Sequence, residues 1–287
     1  MADIDVWLSV FVVGYSCIVA LLIIHDFPLL RKMGRGLLAL GCFGIVYGFY
    51  LFSLNGIVDQ PRAPLFWIDS FKPKLLGLQS TLFFLAGCLL LRSAFQSNVV
   101  SKKAPLKIGN SRSSYGFASR FIHWVTAIIF VASVLIGIAT SMVPIEASFR
   151  AEFYKVHKTL GVIVILLTVA RLVWHRLSPT PQLVLGNRRW ARRLAAAVHA
   201  TLYFLLFSVP ISGYVMTTYE GYPTYFFWLE LQPLWTANED AAVSWSILHK
   251  YGLHAAIYLA LVLHLGGAFK HHLRSGVPSS LKRMISS

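Results

Sequence analysis

Charge is scarce in this chain, and acid is scarcer than base. Only 13% of its 287 residues are Asp, Glu, Lys or Arg, against about 25% in a soluble globular domain, which rules out a soluble globular enzyme. Cysteine is equally thin. Cys17, Cys42 and Cys88 fall one each in the first three apolar runs, where oxidants are scarce, so no disulfide framework is expected. No Cys-x-x-Cys-His is present, which excludes covalent attachment of a c-type haem. The opening Met-Ala-Asp-Ile-Asp lacks a basic stretch, so the apolar run after it is expected to stay as a span rather than be cleaved as a signal peptide.

What the chain has in excess is apolar length. Hydrophobic types make up 56% of it, mean hydropathy is +0.64, and the runs are spread from end to end. A bilayer core of about 30 Å takes roughly 20 apolar residues per helix. Seven runs meet that length, near 6–25, 36–56, 75–92, 121–141, 155–174, 195–217 and 247–269. The expected fold is an all-α integral membrane protein of seven transmembrane helices.

The net charge of +15 falls in alternate loops. Arg31, Lys32 and Arg35 follow the first run, six bases from Arg92 to Arg120 follow the third, six from Arg171 to Arg193 follow the fifth, and four from Lys270 to Arg283 follow the seventh. These are 19 of the 26 bases, with Asp26 the only acid among them. The positive-inside rule then predicts an outside N-terminus and a cytoplasmic C-terminus. The basic loops read as topology signals and contacts with anionic headgroups, not as a nucleic-acid surface.

The polar, basic stretch 101–116 divides the chain. It is expected to be a cytoplasmic linker between a three-helix region, 1–100, of unknown role and a four-helix domain, 117–287, with a cytoplasmic tail. The chemistry divides there too, because nine of ten histidines follow the linker and only His25, read as an interfacial residue, precedes it.

Ionisable side chains in a bilayer are costly and face the bundle interior when they occur. Six histidines lie within or just inside spans: His123, His157, His199, His249, His254 and His264. By distance from the basic flanks, His123, His199 and His264 fall in the cytoplasmic half, and His157 and His249 in the outer half. His249 and His264, fifteen residues apart, stand about 22 Å apart along one helix, so one helix offers a ligand to each of two stacked sites. A zinc site would want clustered Cys or carboxylate as well, and none accompanies these histidines. Paired imidazoles on facing helices suit a haem. Fifteen residues also rotate the second imidazole about 60° from the first, which a π-bulge can absorb. Pairing His254 with His264 leaves about 15 Å and 80°, so His249 is preferred. Gly161, Gly252, Gly266 and Gly267 follow candidate ligands and are expected to leave room for a porphyrin.

From Ser119-Arg-Phe-Ile-His-Trp through Tyr154-Lys-Val-His-Lys-Thr-Leu-Gly, Arg176-Leu-Ser-Pro-Thr-Pro, His199-Ala-Thr-Leu-Tyr and Gly221-Tyr-Pro-Thr-Tyr-Phe-Phe to His264-Leu-Gly-Gly-Ala-Phe-Lys-His-His, residues 115–275 resemble the bacterial cytochrome b561 family. These are four-helix di-haem b membrane cytochromes related to hydrogenase and formate dehydrogenase cytochrome b subunits. The resemblance implies two haems b, one bound by His123 and His264 on the cytoplasmic side and one by His157 and His249 on the outer side. It makes His199 a neighbour rather than a ligand. The family's spacing on the last helix is fourteen, and here it is fifteen, so His254 stays open beside His249.

The resemblance further implies electron transfer with the quinone pool. Some members oxidise superoxide at the outer face, and others anchor a soluble or membrane redox partner as the cytochrome b subunit of a larger oxidoreductase. Outside the family, the contrasting reading is a cofactor-free membrane scaffold or transporter. A quinone headgroup site is expected at the cytoplasmic boundary, with Lys270, His271, His272, Arg120 and His199 as candidates, because quinone reduction needs hydrogen-bond donors and a proton source. Trp67, Phe71 and Tyr225-Phe-Phe-Trp are expected in an aromatic belt.

Overall fold

The computed structural model describes residues 4–24, 32–40, 107–142, 147, 150–181, 189–273 and 280–285. The second and third expected spans lie almost wholly outside them, as do His25, Trp67, Phe71, Cys42 and Cys88. Helix α1 (Ile4–Ile24) holds the first span, and α2 covers 32–40. The expected four-helix domain is built from α3 (Phe117–Met142), α4 (Arg150–Leu177), α5 (Arg189–Tyr219) and a fourth rod. That rod is α6 (Glu239–Ile247), a π-turn (Leu248–Gly252) and α7 (Leu253–Leu273) in series. A short α8 (Ser280–Ile285) ends the described chain. Among the described residues these four rods are long and apolar enough to cross a membrane. The protein is an all-α membrane protein.

The bundle core is aliphatic. Val125, Ile129, Phe130, Val156, Leu160, Val164, Leu205, Leu206, Val209 and Ile257 bury together, while Leu166, Val169, Val173, Phe204, Leu259 and Val262 point outward, as faces meeting hydrocarbon must. Buried hydroxyls answer their own helices. Thr126, Thr140 and Thr168 each donate to the carbonyl four residues back, at 2.6 to 2.7 Å, so they add no unpaired polar group to the core. Helix α1 joins this packing: Ala20 enters the same core, and Val19 and Ile23 pack with Phe117, Phe121, Trp124 and Ile285.

Two connections carry structure that composition does not announce. Residues 107–116 are folded, with Asn110 at their centre. Its Nδ2 donates to the carbonyls of Ser178 (3.0 Å) and Pro179 (3.2 Å), and its Oδ1 accepts from the Gly116 amide (2.8 Å) and the Ser119 hydroxyl (2.7 Å). The start of α3 is thereby tied to the end of α4. A side chain at Gly116 would strike the Gly109 carbonyl, so only glycine fits this close approach.

At the opposite end, Thr224–Phe226 and Leu229–Leu231 pair as an antiparallel hairpin, where Tyr225-Phe-Phe-Trp was expected only as a belt. Phe227 turns it with φ of 53°. Thr159 of α4 clasps it, its hydroxyl facing the Tyr225 carbonyl at 3.4 Å and accepting the Phe227 amide at 3.2 Å.

Candidate functional site: two levels of paired imidazoles

All six span histidines converge inside the bundle, at two levels. At the hairpin end, His157 of α4 and His249 of the π-turn face each other with ring centres 6.2 Å apart. At the linker end, His123 of α3 and His264 of α7 stand 6.4 Å apart, and His199 of α5 lies 5.3 Å from His264. Metal–imidazole bonds of about 2 Å on each side of one ion, plus the two ring radii, add up to separations near the first two.

The rings at the hairpin end are held as metal-binding imidazoles are. His157 Nδ1 lies 2.8 Å from the Ser133 carbonyl. His249 Nδ1 lies 3.0 Å from the Val209 carbonyl and 2.9 Å from the Ser212 hydroxyl. A carbonyl only accepts, so each Nδ1 carries the proton and each Nε2 keeps its lone pair free to ligate a metal. His123 Nδ1, in contrast, is buried without a hydrogen-bond partner among the described residues.

The fifteen-residue spacing is reconciled by the π-turn over Leu248–Gly252. One residue too many is absorbed in a wide turn, where the Leu253 amide reaches back to the Leu248 carbonyl. His254 sits just past it, its Nδ1 2.6 Å from the His249 carbonyl and its ring 5.6 Å from that of His249. This imidazole therefore satisfies a carbonyl where the regular ladder is interrupted, while the His249 ring faces His157.

Two glycines that the sequence reading did not single out seat the outer rings. A Cβ on Gly137 of α3 would lie 2.7 Å from the His157 ring, and one on Gly213 of α5 would lie 2.9 Å from the His249 ring. Each imidazole is seated flush on a neighbouring helix backbone. Gly161 would meet only Pro210 at 3.7 Å, Gly252 only Leu248 at 3.5 Å, and Gly266 and Gly267 face open space.

Among the quinone candidates, Arg120 is 1% exposed, with one guanidinium nitrogen donating to the Ile285 carbonyl at 3.4 Å. Trp124 beside it donates to the Met284 carbonyl at 3.0 Å. The C-terminal helix thus covers this corner. His199 lies in the imidazole cluster. Lys270, His271 and His272 belong to α7, but their side chains are outside the described residues.

At the hairpin end, Lys158 donates to the Pro223 carbonyl at 2.8 Å, and Lys155 pairs with Glu152 at 3.4 Å. Both flank the Tyr225 ring, whose phenol is pushed above its ordinary range by burial and by Glu230.

A model of the prokaryotic cytochrome b561 family matches residues 114–287. Among curated proteins, the chain is similar to cytochrome b561 homolog 2 of Escherichia coli (strain K12), 29% identical over 177 residues, covering 61% of this chain and 93% of that protein. It is also similar to cytochrome b561 homolog 1 of the same organism, 24% identical over 156 residues, covering 53% of this chain and 86% of that protein.

Proposed function

We propose, on the premise that the chain belongs to the prokaryotic cytochrome b561 family, that it carries electrons across the bilayer between a redox partner at the hairpin end and quinone at the linker end. Membrane electron transfer by a b-type haem protein is what the family provides. Two haems, quinone, the orientation and the division into a 1–100 region, a linker and a haem domain are our reading. The hairpin end is then outside and the C-terminus cytoplasmic, in accord with the placement of the basic residues.

The observation that carries this reading is the pair of opposed imidazole couples at two depths, His157 with His249 and His123 with His264. Bound haem supplies one-electron chemistry at potentials set by its axial ligands and surroundings. The protein's own work is positioning. Ser133, Val209 and Ser212 fix the tautomer and direction of the outer imidazoles, which raises their basicity as ligands. Apolar side chains exclude water between the levels, and the hairpin covers the outer end. His254 and His199 remain beside the two couples as the alternatives.

For the outer partner, the indole of Trp228, 82% exposed at the hairpin tip, favours a protein surface, while the charge of Lys158, which donates only to the neutral Pro223 carbonyl, keeps superoxide as the alternative.

The quinone part is tested at α7. Histidine donates hydrogen bonds and exchanges protons near neutral pH. Replacing His271 and His272 together by leucine is expected to leave the haem spectrum intact while slowing reoxidation of the reduced protein by added quinone. Unchanged reoxidation would move the site to the hairpin end or to the groove against the N-terminal helices.

A further inference from the structure

One cation within a span, near the linker-end histidines, has no use in the reading above. Arg171 lies on α4, fourteen residues beyond His157 and so about 21 Å along the axis, level with His123 and His264. The alternating-loop reading counted it as a loop base, but α4 runs on to Leu177. Its guanidinium stacks over the Tyr203 ring of α5 at 5.2 Å, and His175, one turn on, meets the same ring at 6.2 Å. His199 is one turn before Tyr203 on α5 and touches His264.

Among the described residues no acid is placed to answer the charge of Arg171. Helices α3, α5 and α7 contain no Asp or Glu, and the only acid of α4 is Glu152 in its first turn, at the opposite end. Arg171 makes no ion pair among the described residues, and the Tyr203 hydroxyl is buried without a hydrogen-bond partner among them. An uncompensated guanidinium inside a membrane span is costly, and a planar fork of donors matches a carboxylate. A haem b carries two propionate carboxylates on one edge of its ring.

We propose that Arg171, with the Tyr203 hydroxyl and His199 beside it, receives a propionate of the haem held by His123 and His264. This rests on the assignment of that histidine pair to a haem. The guanidinium is then the counter-charge that lets an anionic edge lie within the bundle, and it fixes which edge of the ring faces α4 and α5. A nearby positive charge also favours the reduced haem, which holds one electron more, so its removal lowers that haem's midpoint potential.

The test is a potentiometric titration of the full-length, haem-loaded protein in detergent, followed optically. A parallel His157→Ala sample identifies the linker-end haem. Arg171→Gln is expected to shift the reduced-to-oxidised ratio of that haem at fixed poise about tenfold toward oxidised, about 59 mV for one electron. The other haem should not move, and Arg171→Lys should retain most of the wild-type midpoint. Unmoved midpoints in Arg171→Gln, or an equal fall in the Lys and Gln variants, overturn the proposal. Should Arg171→Gln not accumulate, Tyr203→Phe removes only the hydroxyl: a fall in the same midpoint supports the proposal, and no change overturns it. Wild-type protein without haem would sink the reading of the site, whereas loaded wild type with an unmoved midpoint sinks this inference alone.

Discussion

Replacing His157 or His249 by alanine is expected to remove one and the same haem, and replacing His123 or His264 to remove the other, each change halving the haem bound per chain. An axial imidazole is the coordinate bond that holds a haem b in place, and among the described residues of the four rods no Cys or carboxylate lies at that level to take its place. The pairing follows from geometry: 6.2 Å between rings at the hairpin end, 6.4 Å at the linker end, and helix lengths that forbid one haem from using both levels. The measurement is pyridine haemochrome content against protein, with spectra of each variant to show that the remaining haem is the same within a pair. Loss of a haem in His254→Ala but not in His249→Ala would transfer the outer ligand to His254. The same result for His199→Ala in place of His123→Ala would transfer the other.

The second large effect is expected at residues that bind nothing. Gly137→Val and Gly213→Val should each empty the hairpin-end haem site, or leave its iron with one imidazole, without disturbing the linker-end haem. The first added carbon already lies 2.7 or 2.9 Å from an imidazole carbon, closer than such contacts allow. The rings have nowhere to go, because each Nδ1 is tied to a backbone carbonyl of the same neighbouring helix. Seating and hydrogen bond act together: the glycine lets the ring come down, and the carbonyl holds it there. Gly161→Ala is the control, since its added carbon meets only ordinary contact, with Pro210 at 3.7 Å. Retention of both haems with unaltered spectra in the valine variants would show that the seating is dispensable.

How much of this was legible beforehand follows from which features are local. Apolar runs of span length announce helices, because bilayer thickness sets their length, and the five expected spans that fall among the described residues appear as helices with ends shifted by up to eight residues. The histidines announced a site because an imidazole in hydrocarbon is an anomaly. The fifteen-residue spacing on the last helix showed that something had to absorb the offset, a π-bulge or a local unwinding, because fifteen residues do not return to one face.

Gly137 and Gly213 were not legible, since their role depends on which helix lies opposite, a tertiary relation with no spacing signature. Gly161 and Gly266 attracted notice only by closeness in sequence to a histidine. The hairpin was hidden because Tyr225-Phe-Phe-Trp satisfies an aromatic belt and a β-strand alike. Arg171 was hidden among its neighbours: at the basic end of a span it resembles a loop charge, although it sits between Ala170 and Leu172 in an apolar run. The stretch around Asn110 was read by composition as a tether, and composition does not reveal that one amide bonds two helix ends.

The central claim, two haems b stacked in one four-helix unit, is met most directly by the dithionite-reduced minus oxidised optical spectrum of the purified full-length protein, quantified for haem against protein. The account predicts sharp Soret and α bands of low-spin haem b with two haems per chain. Absence of a reducible Soret band, or a stoichiometry of one that His157→Ala and His123→Ala abolish alike, would contradict it.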